Sequence, residues 1–218
     1  MQYDLEEIKG YLENFSLNED GGFTDWDSEE FVGSISNPNI PAFNWEEGAT
    51  KLVIIPDGRD YVIKIPFNGR YEYGDFFYFN GAYGSSFDDY CASEKGIYED
   101  AEEAGFGEMF LPIELVCRID GHPIYVQERV EMIDEMPNQA SYASEKSKDK
   151  IYEEYQNGVR YIGSPVWAAS CLDTLGSYEE YQRFLGFIDE EGISDLHRGN
   201  LGYCNGHAVI VDYGGYYE

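Results

Sequence analysis

Near the C-terminal end of the sequence, three side chains carry oxygen atoms at a spacing that could do chemistry: Asp195, Asn200 five residues later, and Asp212 beyond a short further stretch. A carboxylate can take up a proton, and all three side chains offer oxygen acceptors. Earlier in the chain, Lys64 stands in the apolar run YVIKIPF, where strand alternation sets its side chain on the opposite face from Ile63 and Ile65. A lysine in such a strand needs an anionic partner, because lysine is almost never fully buried unpaired. Glu94 is the choice, since it falls in a helically spaced stripe with Tyr90, Ile97 and Ala101, while Glu99, Glu102 and Glu103 point elsewhere. Glu99 takes over only if the helix register is shifted. His197 has no companion histidine at helical spacing and is read as a loop-structuring residue, and Arg198 as a salt-bridge partner in an acidic chain. Cys91, Cys117, Cys171 and Cys204 form no C-x-x-C pair, so they read as reduced, mostly buried thiols.

The elements that must carry these residues follow from turn signals and periodicity. Residues 51–56 (KLVIIP) and 61–67 are rich in Val and Ile and flank Asp57-Gly58-Arg59-Asp60, a hairpin loop. A second extended pair, 113–118 and 123–130, flanks Asp120-Gly121. Between the pairs a helix is expected from about Asp88 to Ala104, with acidic residues at its positive end and Gly105 to stop it. Helices are also expected over 141–157 and from Tyr178 to Glu191, the latter with Ser177 and Glu180 as a capping box. Leu201 to Cys204 and His207 to Val211 form a late hairpin around Asn205-Gly206. The aromatic stretch from Tyr71 to Tyr83 reads as an ordered insertion, since a nucleic-acid stacking platform would need basic residues. A strand-rich first part with one helix, then a helical second part, suggests two lobes with a cleft between them.

Composition limits the partners. In 218 residues, 14 Lys and Arg stand against 43 Asp and Glu, a formal charge of -29. Such a field repels phosphate backbones and anionic headgroups, which argues against direct nucleic-acid or membrane binding and for a hydrated monomer. No segment has the basic, apolar and small-residue order of a signal peptide or the length of a membrane helix, so the expected location is the cytoplasm.

The segment Ile193-Ser-Asp-Leu-His-Arg-Gly-Asn200, the late hairpin and Asp212-Tyr213-Gly214 together resemble the catalytic loop and metal motif of protein-kinase-like phosphotransferases. Lys64 within Tyr61-Val-Ile-Lys-Ile looks like that family's Val-Ala-Ile-Lys strand, with Glu94 as its helix partner. The resemblance implies an α+β, two-lobed kinase-like fold: residues 1–130 an N-terminal extension and a strand-rich nucleotide-binding lobe with one helix, residues 131–218 a mainly helical, minimal second lobe. It implies ATP and Mg²⁺ as cofactors. Asp195 would accept the acceptor's proton, Asn200 and Asp212 would hold the metal, and Lys64 with Glu94 would serve the phosphates. Gly48, Ala49 and Thr50 would offer backbone amides to phosphate, and the backbone of Gln127, Glu128 and Arg129 would meet the adenine edge.

The sequence departs from that family in three places. No G-x-G-x-x-G precedes Lys51; Ile193-Ser194 stands where His-Arg is common; and four residues follow Gly214. Three functions fit these features: an ATP-dependent phosphotransferase acting on a protein or small-molecule hydroxyl, a catalytically silent kinase-like binding protein, and an acidic mimic of DNA. The joint presence of Lys64, Asp195, Asn200 and Asp212 favours the first.

Overall fold

The computed structural model describes residues 3–13, 31–33, 41–48, 50–67, 70–73, 76–79, 89–119, 121–133 and 139–214. The protein is α+β, and the chain divides into two compact units: Met1–Lys95 with Pro112–Arg129, and Gly96–Leu111 with Val130–Glu218. Residues 96–111, which the sequence reading assigns to the first lobe, therefore belong to the second unit, where Ile97, Ala101, Phe106, Met109 and Phe110 join the core.

The first unit is built on a five-stranded antiparallel sheet: β1 (Phe43–Glu47), β2 (Lys51–Pro56), β3 (Tyr61–Pro66), β6 (Ile113–Ile119) and β7 (His122–Glu128), in the order β1-β2-β3-β7-β6. A separate pair, β4 (Arg70–Tyr73) and β5 (Phe76–Phe79), accounts for part of the aromatic stretch. The remainder, up to Tyr83, lies outside the described residues. Alternation along β2, β3 and β7 puts Leu52, Ile54, Ile63, Ile65, Ile124 and Val126 on one face, all completely buried. Against that face packs α1 (Leu5–Tyr11), through Ile8 and Tyr11 together with Leu12.

Neither α1 nor β1 is foreseen from sequence. Helix α1 is too short for its periodicity to register, but Asp4 caps it by accepting from the Glu6 and Glu7 amides at 3.1 and 3.2 Å. Strand β1 is a sheet edge whose half-buried Phe43 and Trp45 alternate with exposed Asn44 and Glu46. Glu7 then ties α1 to the β2–β3 hairpin. It accepts from Arg59 Nε at 2.7 Å, from Arg59 Nη2, and from Tyr61 Oη at 2.5 Å. The Arg59 guanidinium holds the Glu7 carboxyl below its usual range against the opposing effect of burial.

Helix α2 (Asp89–Ala104) runs through the division between the units, Asp89 to Lys95 counting with the first. The second unit adds β8 (Glu131–Met132), α3 (Glu145–Gln156), α4 (Pro165–Leu175), α5 (Tyr178–Glu190), β9 (Leu201–Cys204) and β10 (His207–Ile210). Its three strands pair antiparallel in the order β10-β9-β8. The core gathers Phe106, Phe110, Phe184 and Phe187, with ring centroids 5.6 to 6.0 Å apart, around fully buried Trp167. Helix α4 has no sequence-stripe to betray it, because Trp167 to Leu172 are buried without interruption. No helix among the described residues is long and apolar enough to cross a membrane.

Where one helix was expected over 141–157, the chain makes a 3₁₀ turn at Gln139–Tyr142 and starts α3 afresh at Glu145. Ser144 sets that start, its Oγ accepting from the Ser147 amide at 3.2 Å. Asp173 of α4 secures the cap by accepting from the Ser144 amide (2.6 Å), Ser144 Oγ (2.7 Å) and Ser147 Oγ (2.6 Å). Burial pushes the Asp173 carboxyl up, and these hydrogen bonds more than offset it, leaving it below the ordinary aspartate range. A depressed carboxyl stabilises the fold above its unfolded pKa and ceases to do so as pH falls through its folded one. Asp173→Ala is thus expected to cost about 1–2 kcal/mol at pH 7, and progressively less in acid, by urea denaturation across pH.

Candidate functional site

In the first unit, two lysines converge on one glutamate. Lys64 lies in the central strand β3, opposite Val53 of β2 and Tyr125 of β7. Its Nζ is 3.3 Å from Glu94 Oε2. Glu94 projects inward from α2 and is 0% exposed, while Glu99, Glu102 and Glu103 are exposed, so the unshifted helix register is the one adopted. The ion pair expected from sequence is present, and a third member joins it. Lys51 Nζ lies 3.0 Å from Glu94 Oε1 and 4.0 Å from the centroid of the Tyr90 ring, one helical turn before Glu94. The two lysine side chains are each 4% exposed. Burying charges this deeply is costly in itself, and the hydrogen-bonded bridge is what makes it tolerable.

Lys51 is the residue sequence reasoning missed. A signal existed: counting across the 57–60 loop pairs Val53 with Lys64, so Lys51, two residues from Val53, must share the face of Lys64.

The other expected first-unit residues have different surroundings. Gly48 and Thr50 sit in the tight connection between β1 and β2, and Ala49 lies outside the described residues. The Gly48 amide donates to the Lys51 carbonyl at 3.0 Å, and the Thr50 carbonyl accepts from the Phe67 amide at 2.9 Å. Gly48 is therefore committed to closing the turn, and its amide is not a donor for phosphate. Gln127 is fully buried in β7 between Val62 and Ile113, and Glu128 faces Tyr61 across the ladder. The Arg129 amide donates to the Asp60 carbonyl at 2.8 Å, which removes it from the donors open to an adenine edge.

In the second unit, the segment after α5 builds the Asp195, Asn200 and Asp212 group. Buried Ile193 anchors it, its amide donating to the Ile188 carbonyl at 3.0 Å. A 3₁₀ turn, Arg198–Asn200, follows, capped by His197, whose Nδ1 accepts from the Gly199 amide at 2.9 Å. A Cβ at Gly199 would stand 2.8 Å from His197 Cε1, so a larger residue there would push the ring away and loosen this cap. That bond leaves the proton of neutral His197 on Nε2, which lies 3.7 Å from Asp195 Oδ1. His197 thus structures the loop, as its sequence context suggested.

Asn200 joins the two ends of the group. Its Nδ2 donates to the Asp195 carbonyl at 2.7 Å, and its own carbonyl accepts from the amides of Val211 and Asp212 at 2.8 and 3.5 Å. The backbones of Asp195 and Asp212 are thereby both held on Asn200. Beyond Asp212, Tyr213 is buried, with its hydroxyl donating to the Leu111 carbonyl at 2.8 Å and its ring 5.1 Å from Phe110. Asp195 and Asp212 are themselves half-buried.

Among the described residues, no three His, Cys, Asp or Glu side chains gather as a metal-binding group. A magnesium ion would instead rely on Asn200 and Asp212. They fit such an ion: the Nδ2 bond to Asp195 turns Oδ1, the amide's acceptor end, away from that carbonyl, and the donor pair is all oxygen. Mg²⁺ keeps waters and takes one or two carboxylates plus phosphates, so a two-residue protein set is sufficient. The chain matches no protein-family model and no curated protein.

Proposed function

We propose that this protein is an ATP- and Mg²⁺-dependent phosphotransferase of the protein-kinase-like kind, acting on a hydroxyl acceptor. The buried pair of Lys64 and Glu94 carries this reading. In protein kinases the phosphate-handling lysine lies on the third strand and pairs with a glutamate of the following helix, and Lys64 lies on β3 with its partner on α2. The order of the second unit supports it too, with Asp195 and Asn200 on a loop, then the β9–β10 hairpin, then Asp212-Tyr213-Gly214.

In this mechanism Lys64, oriented by Glu94, would hold phosphate oxygens. Asn200 Oδ1 and the Asp212 carboxylate would hold magnesium, which when bound supplies charge neutralisation at the phosphates. Asp195 would orient the acceptor hydroxyl and take up its proton. Asn200 holds the main chains of both aspartates, its Nδ2 on the Asp195 carbonyl and its own carbonyl on the Asp212 amide. The acceptor would be a protein or small-molecule hydroxyl, since a carboxylate base can take the proton of either.

Mg-ATP is expected to raise the melting temperature. Ligand at 100 times its dissociation constant contributes about 2.7 kcal/mol, which corresponds to roughly 5–10 °C for a chain of this size. Differential scanning fluorimetry with millimolar Mg-ATP reads this directly. No shift would overturn the nucleotide-binding reading, and a shift without transfer to any acceptor would favour a silent kinase-like binding protein.

A further inference from the structure

The geometry points to Lys51 as a positioning residue for the nucleotide site, one that holds Glu94 so that Lys64 is presented in a fixed place. The inference rests on the phosphotransferase reading for its purpose, but its structural part stands on this unit alone. Glu94 has two carboxylate oxygens, and each is taken by a different lysine, Lys51 on Oε1 at 3.0 Å and Lys64 on Oε2 at 3.3 Å. With a single lysine, the glutamate could rotate about its side-chain bonds and keep that contact. With one lysine on each oxygen, the carboxylate plane is set, and so is the direction from which it meets Lys64.

Lys51 is itself well held. It is the first residue of β2, its carbonyl closes the β1–β2 turn on the Gly48 amide, and its ammonium lies over Tyr90. Tyr90 and Glu94 are four residues apart and share one face of α2, so Lys51 grips the helix at two successive turns. Both strands that bear the lysines are neighbours in the sheet, with Val53 opposite Lys64. The bridge therefore ties α2 to β2 as well as to β3, and fixes the helix in rotation as well as in distance.

Such a device suits a chain in which the connection before β2 is a tight turn instead of a glycine-rich loop. The strand after that turn contributes instead a second lysine on Glu94. The ligand served is a nucleoside triphosphate, and Lys51 acts on it only through Glu94 and Lys64.

Lysine Nζ-selective ¹⁵N NMR and calorimetry with a nonhydrolysable ATP analogue plus Mg²⁺ test this together. Lys51→Met is expected to speed hydrogen exchange at the Lys64 ammonium, and to weaken analogue binding, each by about tenfold, within the range for coupled neighbours. Lys51→Arg, which keeps the charge, should restore most of both effects, and in a Glu94→Gln background Lys51→Met should add little. Tyr90→Leu, which keeps all three charges, should shift the Lys64 signal in the same direction by a smaller amount, and serves if Lys51→Met does not fold. An unchanged Lys64 signal in folded Lys51→Met would overturn the positioning role. If wild type binds no analogue while Lys51→Met still alters Lys64, the phosphotransferase reading fails and the bridge stands as a purely structural device.

Discussion

Glu94→Gln is expected to destabilise the protein by about 3–5 kcal/mol, the loss typical of removing one partner from a buried charge group. The amide keeps the size and shape of the side chain but takes the shared anion away from two lysines that are only 4% exposed. The contrast lies on the surface of the same protein. Glu6 with Lys9, Glu145 with Lys148 and Glu180 with Arg183 are i,i+3 pairs on exposed helix faces. Pairs of that type contribute about 0–1 kcal/mol. Urea denaturation is the measurement, with a lower midpoint at an unchanged slope as the expected outcome. Replacing Lys51, Lys64 and Glu94 together by Met, Met and Leu should recover much of the loss, because an apolar set of similar volume has no charge to desolvate. A Glu94→Gln penalty no larger than that of a surface pair would mean that the bridge does not organise this sheet.

Asp195→Asn is expected to lower phosphotransfer by about 10² to 10⁴ while leaving the Mg-ATP melting shift largely intact. The separation follows from where Asp195 acts. In the proposed mechanism its carboxylate serves the acceptor hydroxyl, whereas the contact it makes with Asn200 runs through its main-chain carbonyl, which the substitution keeps. The magnesium ligand should therefore stay in place. Transfer of labelled γ-phosphate, first as autophosphorylation and then to host lysate and small hydroxyl compounds, measures the effect. Equal activity in the variant would remove Asp195 from the role of base.

Much of this arrangement was legible in the residues, for reasons that also explain what was not. Glu94 could be chosen over Glu99 because an acidic residue inside an apolar stripe is anomalous, and it is indeed buried. The Asn205-Gly206 turn marked the late hairpin, and Asn205 adopts the positive φ of 51° that this turn chemistry requires. Lys51 escaped notice because a lysine at a strand start reads as a solvent-facing end, and its place is set by pairing across a loop. Helix α4 is buried without a break from Trp167 to Leu172, so periodicity could not reveal it, although Ser164, Pro165 and Gly176 punctuate both of its ends. The grouping of residues 96–111 with the second unit depends on tertiary packing of Phe106 and Phe110, which no local pattern encodes. For the proposed nucleotide site, the resemblance pointed to Lys64, Asn200 and Asp212, but local sequence did not show that the Gly48 and Arg129 amides are bonded within the sheet unit.

Calorimetric titration with a nonhydrolysable ATP analogue, with and without Mg²⁺, in wild type and Asp212→Asn, tests the central claim most directly. The phosphotransferase account predicts binding by the wild type that is strengthened by magnesium, and weaker binding by Asp212→Asn in which that strengthening is lost. Wild-type protein that gives no binding signal at millimolar analogue and magnesium would contradict it.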